Sequence, residues 1–98
     1  MAMIAITVKG VADIGKLMGA RGEQKVFLPS GSTLFDLLMF LGEKYGEGFQ
    51  KRVFTCCGEI RKDLRLLLNG RDIAFLAGLE TVLHDGDRFS ILPPLAGG

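Results

Sequence analysis

Residues 3–9 (MIAITVK) alternate, with Ile4, Ile6 and Val8 on one side and Ala5, Thr7 and Lys9 on the other. A period of two is that of a strand with one buried face. Residues 10–22 (GVADIGKLMGARG) carry four glycines and predict a long loop with room for one helical turn. Residues 24–28 (QKVFL) predict a second strand, which Pro29 ends because proline has no N–H to give a ladder. The period then changes. Leu34, Leu37, Leu38, Leu41 and Tyr45 recur at helical spacing and line one face of a helix over 33–45. Ser32 or Thr33 can cap its first amides, and Asp36 in the first turn suits the positive end of the helix dipole. Gly42 costs about 1 kcal/mol against alanine inside a helix, and Gly46 fits a helix stop.

Residues 47–63 show no clear period; EGFQKRVF suits a short helix or turn, and CCGEIRKD an irregular link. LRLLL (64–68) predicts a third strand. Asn69-Gly70 follows as a two-residue reversal of the type that needs positive φ at both centres. Residues 71–74 return as a short strand, and FLAG (75–78) suits a 3₁₀ turn. A turn at His84-Asp85-Gly86-Asp87 then leads into a last strand, RFSIL (88–92). This order predicts an α+β domain: a mixed sheet of four to five strands, its first and last strands central, with one main helix on one face.

The chain has 98 residues, 48% of them hydrophobic and 23% charged, which fits one small globular domain and excludes a disordered tail protein. Twelve Lys and Arg against 11 Asp and Glu give a net charge of +1, so no charge asymmetry points to nucleic acid or an anionic membrane. MAMIAITVKG lacks a basic stretch ahead of its apolar run and does not read as a signal peptide. LFDLLMFL (34–41) falls far short of the roughly 20 residues that span a bilayer. A cytoplasmic location is the expectation.

The chemistry is expected at the end of the chain. Pro93 and Pro94 remove two backbone donors, so sheet pairing stops at Leu92. The reading is thus a domain over 1–92 and an extended tail over 93–98. Six residues at about 3.3 Å each reach roughly 20 Å. Gly97 and Gly98 have no Cβ, so this end can thread a narrow channel, and the carboxylate of Gly98 is an unhindered nucleophile.

PSGST with its Leu-rich helix, the Asn-Gly after the third strand, LHDGD before the last strand and the final PPLAGG together resemble the small subunits of molybdopterin synthase. These belong to the ubiquitin-like sulfur carriers. The segment after the first strand departs from the family, keeping mainly Ala12 and Gly19. The resemblance implies a β-grasp fold and a non-catalytic, sulfur-donating subunit that binds no cofactor or metal itself. An adenylating enzyme would use ATP to activate Gly98. A cysteine desulfurase or rhodanese-type donor would then supply sulfur, leaving a C-terminal thiocarboxylate. The large subunit of the synthase would take the tail and build the dithiolene on a pyranopterin precursor. Pro93, Pro94, Leu95, Ala96 and Gly97 would line the partner's channel. Leu92 and Phe75 suit an apolar docking patch, or otherwise ordinary core. The resemblance leaves open a protein modifier joined through Gly98 to lysine, a carrier for thiamine or cysteine synthesis, and a binding module with an inert tail.

Other candidates are weaker. Cys56-Cys57 lacks the C-x-x-C spacing of a zinc site; it reads as a buried or incidental pair, with a persulfide relay as the sharper alternative. His84 beside Asp85 sits in a turn, which suits a solvent-exposed residue. Arg61, Lys62 and Arg65, broken by Asp63, read as a solvated face. Gly15, Gly19 and Gly22 lack phosphate-loop spacing.

Overall fold

The computed structural model describes residues 2–11, 13–18 and 23–93. In β1 (Met3–Gly10), Ile4, Ile6 and Val8 are buried, as their alternation requires. β2 (Glu23–Pro29) runs antiparallel beside it, with Met3 opposite Pro29 and Lys9 opposite Glu23. Pro29 closes this edge strand, where a missing N–H costs least. Between them, α1 (Asp13–Leu17) supplies the one short helix that the glycine-rich segment had room for.

The main helix, α2 (Leu34–Tyr45), is capped reciprocally. Thr33 Oγ1 accepts the Asp36 N–H at 3.3 Å, and Asp36 Oδ2 accepts the Thr33 N–H at 2.9 Å. Thr33 is therefore the cap. Ser32 is buried instead, its hydroxyl donating to the Pro29 carbonyl at 2.7 Å. Leu34, Leu37, Leu38 and Leu41 are fully buried and Tyr45 is half-buried. Gly46, at φ 84°, ends the helix and donates its N–H to the Gly42 carbonyl at 3.0 Å. A second helix, α3 (Glu47–Val53), begins at once, and Phe49 and Val53 carry it into the core.

β3 (Arg65–Leu68) turns through Asn69 (φ 53°) and Gly70 (φ 82°), the positive pair that a two-residue reversal needs. The returning strand, β4 (Arg71–Asp72), is shorter than the sequence suggests. Asp72 Oδ1 accepts the Ala74 N–H at 2.9 Å and turns the chain into a 3₁₀ helix over Ile73–Phe75. A second 3₁₀ turn covers Gly78–Glu80. β5 (Arg88–Leu92) ends the described sheet.

The sheet order is β2-β1-β5-β3-β4. β5 lies parallel to β1 and antiparallel to β3, so the last strand is flanked on both sides. The inward residues of all the long strands meet α1, α2 and α3 in one apolar cluster that includes Ile6, Met18, Leu38, Phe49, Phe89 and Ile91. The α+β expectation holds, with two short helices beside the main one.

Candidate functional site

β5 leads into the C-terminal residues on which the sequence reading places the chemistry, so its anchoring fixes where they leave the body. Phe89 and Ile91 are fully buried, while Arg88, Ser90 and Leu92 alternate outward. Leu92 pairs with Arg65 on β3, Ile91 pairs with Gly10 on β1, and the Ile91 carbonyl also accepts the Val11 N–H at 3.2 Å. The strand is thus hydrogen-bonded from both sides almost to Pro93, which is half-buried. The expectations placed on Pro94, Leu95, Ala96, Gly97 and Gly98 lie outside the described residues.

The turn before β5 is built as a clasp. Asp85 Oδ1 accepts the Ala5 N–H at 2.8 Å, and the Gly86 N–H reaches the Ala5 carbonyl at 2.9 Å. Asp87 Oδ2 accepts the His84 N–H at 2.8 Å, and its Oδ1 accepts from Asn69 Nδ2 at 3.0 Å. Asn69 in turn accepts the Arg88 N–H on Oδ1 at 2.9 Å and gives its own N–H to the Arg88 carbonyl at 2.7 Å. These bonds lock the start of β5 to the start of β1 and to the β3–β4 reversal. His84 is exposed, and the recorded bonds of Asp85 and Asp87 go to backbone and to Asn69 rather than to an imidazole. The pair has the geometry of a structural turn, not of an acid–base couple.

Leu92 is half-buried. Phe75 is 82% exposed on its 3₁₀ turn, which removes the reading of it as core. The two are not neighbours in the sheet, since β3 lies between β5 and the strand that leads to Phe75. Val82 is also exposed; it bridges to Thr33 and shares a small cleft with Leu76, Arg71 and His84.

Cys56 and Cys57 are both exposed and free, which removes the buried arm of the buried-or-incidental reading. They occupy a turn held by hydrogen bonds to Thr55. Arg61, Lys62 and Arg65 are exposed as expected, with Arg61 Nε 3.5 Å from Asp63. Among the described residues no cluster of three or more His, Cys, Asp or Glu is placed to hold a metal ion. None of the described helices is long and apolar enough to cross a membrane.

A mixed five-stranded sheet, wrapped on one side by a main helix and with its final strand in the middle, defines a ubiquitin-like β-grasp protein. The crystal structure of small archaeal modifier protein 1 (SAMP1) from Haloferax volcanii superposes with a TM-score of 0.81 at 28% identity, covering 96% of this chain and 99% of that one. A putative molybdopterin converting factor subunit 1 from Pyrococcus furiosus superposes with a TM-score of 0.73 at 27% identity, covering 94% and 99%. Small archaeal modifier protein 3 of H. volcanii is 34% identical over 79 residues, 79% of this chain and 84% of its own. Sulfur carrier protein CysO of Mycobacterium tuberculosis shows the same identity and coverage. The model of the ThiS family matches residues 14–98, and the chain belongs to that family. Its relatives are sulfur carriers and ubiquitin-like modifiers.

Proposed function

We propose that this chain is a sulfur carrier whose reacting group is the carboxylate of Gly98. The observation that carries the reading is the family match, which runs from α1 through β5 and takes in Gly97 and Gly98. In the proposed cycle the Gly98 carboxylate attacks the α-phosphate of ATP on an adenylating enzyme and releases pyrophosphate. The terminal sulfur of a donor persulfide then attacks the acyl carbon and AMP leaves. Reduction of the acyl disulfide by a second thiol frees the thiocarboxylate. This chain binds no cofactor in the scheme, and ATP is used by its activating partner.

The client we favour is the pyranopterin precursor of molybdopterin, with this chain as the small, sulfur-donating subunit and the synthase large subunit as partner. The Pro93-Pro94 step before the glycines and the likeness to the P. furiosus protein support it. A second reading has its own support in the 34% identity to small archaeal modifier protein 3: the same activated Gly98 passes to a lysine amine of another protein.

Intact-protein mass spectrometry tests the common step. After incubation with ATP, the adenylating enzyme and a sulfur donor, the expected result is exchange of one oxygen for sulfur, mapped to Gly98. No exchange with partners proven active on another carrier overturns the proposal. Adding the large subunit and precursor separates the clients: molybdopterin formation supports the first, and isopeptide-linked conjugates without it support the second.

A further inference from the structure

The proposed sulfur cycle leaves Cys56 and Cys57 unused. Adjacent side chains diverge on a strand, but here the two thiols converge, with Sγ atoms 3.8 Å apart. The turn that aims them is pinned. The Gly58 N–H donates to the Thr55 carbonyl at 3.0 Å, and Thr55 Oγ1 accepts the N–H groups of Cys57 at 3.3 Å and Glu59 at 3.2 Å. The backbone reverses at Gly58, φ 82°, where a side chain would be strained. Both thiols face solvent, and Cys56 also stands at the rim of a groove of about 740 Å³ walled by Phe35, Met39 and Phe54.

Two chemistries could use such a pair, and the geometry separates them. A disulfide needs sulfurs about 2.04 Å apart and Cα atoms usually 4.4–6.8 Å apart, whereas neighbouring residues hold theirs at about 3.8 Å. Closing this pair therefore strains the backbone. A bridging ion has no such requirement. Two metal–sulfur bonds of about 2.3 Å, opened at the tetrahedral angle, place their sulfurs about 3.8 Å apart. The sulfurs already stand at that separation.

We propose that Cys56 and Cys57 form a two-thiolate chelate for a thiophilic d¹⁰ divalent ion of the zinc or cadmium class. On binding, each thiol gives its proton to the buffer as its sulfur forms a bond to the ion; no electron changes hands. No third described His, Cys, Asp or Glu joins them, so two tetrahedral positions stay open to solvent. The site is thus exchangeable rather than structural, and the fold does not depend on it. Soft sulfur ligands select such ions over magnesium or calcium.

Cadmium titrated into the reduced full-length chain tests this, read by thiolate-to-cadmium charge-transfer absorption and by proton release. The expected result is saturation at one ion and two protons per chain, undisturbed by excess magnesium. Cys56→Ser and Cys57→Ser should each weaken binding by about tenfold or more, since even losing a supporting contact around a metal costs about 10–100-fold. Both variants should keep the wild-type melting temperature without metal, because both side chains are exposed. Unchanged binding in either variant, or binding that magnesium displaces, would overturn the chelate. So would the absence of the charge-transfer band.

Discussion

Thr33 and Asp36 settle where the main helix begins, and each satisfies an amide that the first turn leaves without a partner. Thr33→Ala should cost about 1 kcal/mol. In a domain of this size that lowers the melting temperature by about 4–8 °C, measurable by calorimetry. Tyr45 makes a different prediction. Its hydroxyl donates to Gln24 Oε1, and burial raises its pKa above the ordinary 10.0. The unfolded chain therefore loses the phenolic proton first. Stability from this group is full below pH 10 and declines as pH rises from there through the higher folded value. Tyr45→Phe should flatten that alkaline decline, as urea melts at pH 9 and 11 would show; an unchanged slope would assign the decline to other groups. A cap at Ser32 or Thr33 was legible in the sequence because it lies beside the first turn, though which of the two makes it was not. The Asp85 bond to Ala5 was not, because 80 residues separate them and only the folded sheet makes them neighbours.

At the scale of elements, period decided what could be read. β1 and α2 have enough alternating or helical positions to declare their buried faces, and both faces are the buried ones. α3 has two, Phe49 and Val53, one turn apart, which fit a helix or a turn equally well until a core is there to receive them. β4 was overextended because Ile73 and Ala74 look like strand residues, while the Asp72 side chain ends the ladder by capping the 3₁₀ turn. The sequence leaves the exposure of the thiols open for a related reason: cysteine is usually buried, and burial depends on neighbours that a turn sequence does not reveal. Packing between elements gives one sharp prediction. A Cβ on Gly10 would lie 2.7 Å from Met18 Sδ and 3.0 Å from the Gly15 backbone nitrogen. Gly10→Ala should thus press α1 off the end of β1 and cost about 1–3 kcal/mol. Native-state hydrogen exchange should find the loss greatest around residues 13–18.

For the molecule as a whole, the buried apolar residues fall between Ile4 and Ile91, with Phe89 among the largest of them. Phe89→Ala should cost about 3–5 kcal/mol, a large share of the 5–15 kcal/mol of an ordinary domain. Pro93 and Pro94 lead the sequence reading to an extended tail, so removing residues 94–98 is expected to take nothing from that core. The truncated chain should melt nearly as the full one does, yet gain no sulfur in the mass-spectrometric assay. A large fall in melting temperature would mean that the tail packs on the body. The final Pro-Pro and Gly-Gly carry that expectation in the sequence; Leu92 and Phe75 each fit core and surface equally well there, and the structure leaves Leu92 half-buried and Phe75 exposed.

The central place of β5 also has a mechanical meaning. On the proposed function, an enzyme that drew the tail into a channel would pull along β5, which lies parallel to β1 and antiparallel to β3. That load runs along both ladders, so their hydrogen bonds are sheared together instead of being unzipped one at a time. On the proposed function, the carrier's point of attachment would thus be one of the places best built to bear such a load.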